Sequence, residues 1–244
     1  MGDGQIIRKE LSRLADRIKL KADFEKFFTD DFCVRKKYDS GCHPENNIIS
    51  EKVKPLDVRE NNKQGKVIPL SETVRDCTLC ALHKTRTNVV FGAGSLDAEL
   101  VFVGEAPGRD EDLQGKPFVG KAGELLTKII SAMKLSREQV YITNVLRCRP
   151  PNNRNPLPEE VVCCKPYLIQ LLNIIKPRII CTLGKFAAHA LLDVDTPISR
   201  LRGQFYEFNN IKLMPTYHPA YLLRNPDDKR LVWDDMQKIM KALQ

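Results

Sequence analysis

The sequence is short of several things. It has 13 glycines and a single tryptophan in 244 residues, which excludes collagenous and glycine-rich low-complexity architectures. No apolar run approaches the roughly 18 residues that a membrane-crossing helix needs. The N-terminus lacks the apolar core of a secretory signal. Asp3, Glu10, Asp16 and Asp23, set among its basic residues, argue against an organellar transit peptide. Met1-Gly2 opens like a myristoylation site, but Ile6 stands where a Ser or Thr is required. A soluble, cytoplasmic protein without a membrane partner is expected.

What is present is a chain with 42% hydrophobic and 29% charged residues, long enough to bury one sizeable core. Its 39 basic and 31 acidic side chains give a net charge of +8. The excess is 15 against 12 in residues 1–70 and 24 against 19 in residues 71–244. Such a balance favours a polyanionic partner, and it is not confined to a tail. The eight cysteines, without a secretory signal, fit a metal or cluster site better than a disulfide framework.

Residues 1–37 read as an N-terminal helical extension, because Ile6, Ile7, Leu11, Leu14, Ile18 and Phe24 recur at helical spacing. Residues 38–70 turn polar (Asn46-Asn47, Asn61 to Gly65) and read as a linker. From 71 to 244 strands and helices alternate. Strands are expected at 99–104, 140–144 and 178–183, with a hairpin at 204–208 and 211–217. Helices are expected at 120–133, 158–175, 185–192 and 227–243. This alternation implies a parallel α/β sheet covered on both faces. Ligands in such sheets bind beyond the carboxyl ends of the strands, so the loops at Gly104, Asn144, Leu183 and Tyr217 share one rim.

Cys77 and Cys80 form a C-x2-C pair, and Cys148 and Cys164 follow with fifteen residues between them. Four thiolates from two segments can ligate zinc or a [4Fe–4S] cluster. The second pair is not a tight knuckle, which favours iron–sulfur. On spacing alone Cys163 competes with Cys164. Cys181 reads as a buried strand residue, and Cys33, Cys42 and His43 as unliganded. Gly115 to Ala122 nearly matches a P-loop, but it lacks the Ser/Thr for Mg²⁺ and Pro117 removes a cradle amide. A nucleotide-hydrolysing site is therefore excluded.

The remaining segments stand in fixed order: GEAPG (104–108), GKPFVGKAG (115–123), YITNVLRCRPPNNR (141–154), PLPEE (156–160) and YHPAYLLRNP (217–226). With the cysteine spacing, residues 71–244 closely resemble family 4 uracil-DNA glycosylases, the iron–sulfur branch of that superfamily. The resemblance implies a three-layer α/β/α fold around a mainly parallel four-stranded sheet. It implies a monomeric, monofunctional enzyme that hydrolyses the glycosidic bond of uracil in single- or double-stranded DNA. A structural [4Fe–4S] cluster would be held by Cys77, Cys80, Cys148 and Cys164.

The same resemblance distributes roles over the site. Gly104, Glu105, Ala106 and Pro107 line the base pocket, Phe118 stacks on the flipped base, and Asn144 reads it. His218 donates to uracil O2 as the bond breaks. Glu105, Glu111 and Asn153 are the candidates for orienting water, and Glu111 for crowding a thymine methyl. Leu222, Leu223 or Arg224 would wedge into the duplex. Arg147, Arg149 and Arg154 are candidates for phosphate contacts. Two other readings share these residues: a DNA-binding module that recruits partners, and a glycosylase of broader deaminated-base range.

Overall fold

A computed structural model describes residues 62–244. The helical extension at 1–37, most of the expected linker, and Cys33, Cys42 and His43 lie outside them. The first described element, helix α1 (Lys63–Arg75), occupies the end of the segment read as linker up to residue 70. Asn62 starts it by accepting the Gly65 amide at 2.7 Å, the role that favours Asn before a first turn. Val67, Leu70 and Val74 then fall on one face and are buried. The polar residues around this start masked that spacing.

The strands are β1 (Ala93–Gly94), β2 (Leu100–Gly104), β3 (Tyr141–Asn144), β4 (Ile179–Leu183), β5 (Tyr206–Phe208) and β6 (Ile211–Thr216). They form one sheet in the order β1-β3-β2-β4-β6-β5. The central four, β3-β2-β4-β6, pair in parallel as expected. Short antiparallel strands add an edge on each side. Every residue of β2, β3 and β4 is buried, which is why these strands read as continuous apolar runs rather than alternating ones. In the β2–β3 ladder Gly104 stands opposite Asn144.

The helices after α1 are α2 (Arg109–Gln114), α3 (Lys121–Ala132), α4 (Pro158–Ile175), α5 (Lys185–Leu192), α6 (Ile198–Leu201), α7 (Pro219–Arg224) and α8 (Lys229–Leu243). Two hydrophobic clusters separate them into layers. On one face Val101, Val103 and Ile180 pack with Val74 of α1, Leu168, Leu171 and Leu172 of α4, and Ala187 and Leu191 of α5. On the other face Leu100, Phe102 and Cys181 pack with Leu126 and Ile130 of α3 and Val232, Met236 and Ile239 of α8. The three-layer α/β/α arrangement follows from the strands' side-chain alternation.

A polar tie closes the second layer. The fully buried Asp235 accepts Arg202 Nη2 at 2.5 Å and the Thr216 hydroxyl at 2.6 Å. It thereby fixes α8 to the end of β6. Because β2 has β3 on one side and β4 on the other, the chain reverses its winding there, and a crevice opens beyond the carboxyl ends. Leu168 is fully buried between sheet and α1. Leu168→Ala should lower unfolding free energy by about 2–5 kcal/mol in urea titration, without a change in m-value.

Candidate active site

The crevice is a cleft of about 790 Å³. Glu105, Ala106 and Pro107 enter it directly after β2, Asn144 from the end of β3, and His218 from the turn after β6. Glu111, Phe118 and Asn153 complete the set expected from sequence. Gly104 lies behind the wall. A Cβ there would strike the Asn144 amide oxygen and come within 2.6 Å of the Phe118 ring, so only glycine lets those two side chains close on the strand end.

Phe118 is buried, yet its backbone is left-handed at φ 53°, a conformation that costs a bulky residue about 1–3 kcal/mol. Hydrogen bonds on both sides hold it there. Arg137 donates to the Pro117 carbonyl at 2.8 Å and the Phe118 carbonyl at 3.1 Å. Glu111 accepts the Val119 and Gly120 amides at 3.0 and 3.2 Å with one oxygen and the Gly108 amide at 3.1 Å with the other. The Glu111 carboxylate is thus engaged with backbone and ties the loop after β2 to the Phe118 loop.

Asn144 is buried, and its Oδ1 has no hydrogen-bond partner. An unpaired acceptor in such a place is costly unless a ligand supplies the donor. The His218 ring lies 5.7 Å from that of Phe118, tilted by 32°. Its Nδ1 accepts the Ala220 amide at 3.1 Å. In the neutral ring the proton therefore sits on Nε2, which is left as a donor. Burial lowers the His218 pKa to about 4, and Arg224 pushes in the same direction. The ring is neutral at physiological pH. Burial raises Glu105 to about 7 against the opposing pull of Lys185, which places a carboxyl near the pH where it can exchange protons.

Residues 219–224, which carry the wedge candidates, form α7 with Pro219 at its first turn. This corrects the wedge candidates. Leu222 is fully buried in the core with α3 and α8, since it lies on the inner face of the helix. Leu223 is 45% exposed and Arg224 is exposed. The phosphate candidates change too. Arg147 is 1% exposed and cannot reach a phosphate. Arg154 is paired with the buried Glu160 at 2.5 Å, and Arg149 donates to the Asn153 side-chain oxygen at 2.7 Å. That bond occupies the Asn153 acceptor at the cleft rim.

Cys77, Cys80, Cys148 and Cys164 line a single cavity, joined by Cys163. The sulfurs collect donors: Arg86 Nη1 reaches Cys148 at 3.3 Å, the Arg147 amide Cys164 at 3.3 Å, and the Tyr167 hydroxyl Cys77 at 3.5 Å. Cys163 instead points its sulfur at the Leu79 carbonyl. Burial raises the thiols of Cys80 and Cys148, and that of Cys164 to about 12. Among the described residues no three His, Cys, Asp or Glu side chains gather closely enough for a single metal ion. Cys181 is buried in β4, as its strand position implies.

Sequence reasoning missed Lys185, Phe186, Ser199 and Tyr221 in the cleft wall and Arg137 behind Phe118. Lys185 and Phe186 follow directly on a strand's carboxyl end, a position that could have exposed them. Ser199 and Arg137 carry no local signal. Glu105 yields a prediction. Its carboxyl sits at about 7 in the fold against an ordinary 4.5, so between these values the folded state binds more protons and stability falls as pH rises. Glu105→Gln should be more stable than the parent at pH 8 by about 1–3 kcal/mol, and the two should converge near pH 4 in denaturant unfolding.

Residues 91–239 match the model of the uracil DNA glycosylase superfamily. A type-4 uracil-DNA glycosylase of Archaeoglobus fulgidus is 51% identical over 181 residues, covering 70% of this chain and 91% of that protein. One of Thermotoga maritima is 47% identical over 173 residues, covering 69% and 90%. A type-5 enzyme of Pyrobaculum aerophilum is more distant, at 28% over 165 residues, with 61% and 72% covered. A family match over most of the described chain, and type-4 relatives matched over nearly their whole length, agree with the strand-end cleft and the four-cysteine cavity: this chain belongs to the uracil-DNA glycosylase superfamily, in its type-4 branch.

Proposed function

We propose that the protein hydrolyses the N-glycosidic bond of uracil in DNA and leaves an abasic site, the first step of base excision repair. The unpartnered Asn144 Oδ1 at the end of β3 carries this reading. A base rotated out of the stack enters the cleft and lies against Phe118. Asn144 accepts from uracil N3–H, while its amide nitrogen donates to O4. Cytosine offers the inverse pattern, an amine at C4 and no N3 proton, and would leave both groups of the buried amide unmatched.

Bond cleavage sends negative charge onto the departing base. The Nε2–H of neutral His218 donates to O2 and stabilises that anion. The sugar develops oxocarbenium character, and Glu105, near its pKa at neutral pH, orients the incoming water. Leu223 or Arg224, both exposed on α7, would fill the gap in the duplex. A role on DNA supports an intracellular site of action, and no helix among the described residues is long and apolar enough to cross a membrane.

The cysteine cavity fits a [4Fe–4S] cluster held by Cys77, Cys80, Cys148 and Cys164. The four sulfurs share one cavity, and three of them attract hydrogen-bond donors, as the sulfurs of a thiolate-bound cluster do. Bound there, such a cluster would tie the segment after α1 covalently to the segments around Cys148 and α4. The hydrolysis runs on the residues of the cleft.

Incubation with a uracil-containing oligonucleotide followed by alkali should produce strand scission at the uracil; none at stoichiometric protein overturns the assignment. His218→Ala should lower kcat by about 10²–10³-fold. Asn144→Asp, which loses the donor to O4, should lower kcat/KM for uracil by a similar factor, and unchanged kinetics would remove Asn144 from the pocket.

A further inference from the structure

Among the described residues the fully or nearly buried charged side chains are Asp112, Arg147, Glu160 and Asp235. Glu160 has Arg154, Asp235 has Arg202, and Asp112 accepts the Thr87 amide at 2.9 Å. Arg147 has no carboxylate. Its Nη1 donates to the Phe91 carbonyl at 2.7 Å, to the Asn144 carbonyl at 3.1 Å and to the Thr143 hydroxyl. Nε and Nη2 are buried with no partner. An uncompensated buried guanidinium is strongly unfavourable. Its own backbone amide donates to the Cys164 sulfur at 3.3 Å, and the residue lines the cysteine cavity.

Arg147 therefore stands between two sites. Its main chain borders the cavity of the four cysteines. Its guanidinium holds the backbone of the strand end that carries Asn144. We propose that Arg147 is a positioning residue: the negative charge of the liganded thiolates balances its buried charge, and in that state Nη1 fixes the carbonyls of Asn144 and Phe91. The cysteine site thereby sets the placement of Asn144 without touching substrate. Loss of the ligated group leaves Arg147 uncompensated and releases the strand end. This inference rests on the reading of the four cysteines as cluster ligands.

The test compares the parent with Arg147→Met, which keeps an apolar stem without charge, and Arg147→Lys, which keeps charge without the planar fork. Iron content, anaerobic iron release to a chelator, and KM and kcat on a uracil-containing oligonucleotide are measured for each. Arg147→Met should release iron and lose kcat/KM by about 10–100-fold, as neighbours of metal ligands do when mutated. Arg147→Lys should keep its iron while recovering kcat/KM only in part, because charge and fork act separately.

Arg147→Met indistinguishable from the parent, or both variants losing iron equally, overturns the proposal. Should Arg147→Met fail to fold, chelator-stripped parent protein replaces it. Amide exchange over residues 141–147 should then accelerate on iron removal, and unchanged exchange overturns the coupling. A parent protein without iron overturns the cluster reading itself, and is seen before any variant is compared.

Discussion

The cleft depends on how one carboxylate is engaged. Glu111 accepts three backbone amides, one from the loop after β2 and two from the loop that carries Phe118. Charge-assisted bonds of this kind are roughly twice as strong as neutral ones. They hold two irregular loops against each other where no ladder or helix does so. With Arg137 gripping the carbonyls of Pro117 and Phe118 from the other side, they keep an aromatic ring in a backbone conformation it would otherwise leave. The pocket floor is thus rigid before any ligand arrives, which is what a site that discriminates by hydrogen-bond pattern requires.

Electrostatics in the cleft follow from the same dryness. Burial depresses His218 and raises Glu105, and these are the protonation states that the roles proposed for them, donor to a leaving anion and orienter of water, require. A neutral imidazole donor gains strength as charge develops on the base, without first competing with an imidazolium's own solvation. Opposite shifts from a common cause are a frequent way of dividing labour between two titratable groups.

Much of this was legible in the chain. The buried runs at Leu100, Ile142 and Ile179 announced parallel strands, and the rule for strand ends placed the loops at Gly104, Asn144, Leu183 and Tyr217 on one rim. What was hidden had physical reasons. Helix α1 was obscured because its first turn is polar. Leu222 and Leu223 are chemically alike, and only the helical geometry of residues 219–224 decides that one faces the core and the other solvent. Arg147 sits in an arginine-rich run that suggests a solvated face, whereas the fold turns it inward. The Glu111 clamp joins amides separated along the chain, and no local pattern encodes such a bond.

Gly104 and Asn144 are ladder partners across β2 and β3. Side chains alternate faces along a strand, so a slip of one residue would send the reading amide to the opposite layer and bring Val103 or Glu105 against it. With Asn144 as the proposed reader of the base, chemical selectivity would be written into strand register rather than into a loop that can adjust. Substitutions that loosen the pairing of these strands would then threaten fidelity together with folding.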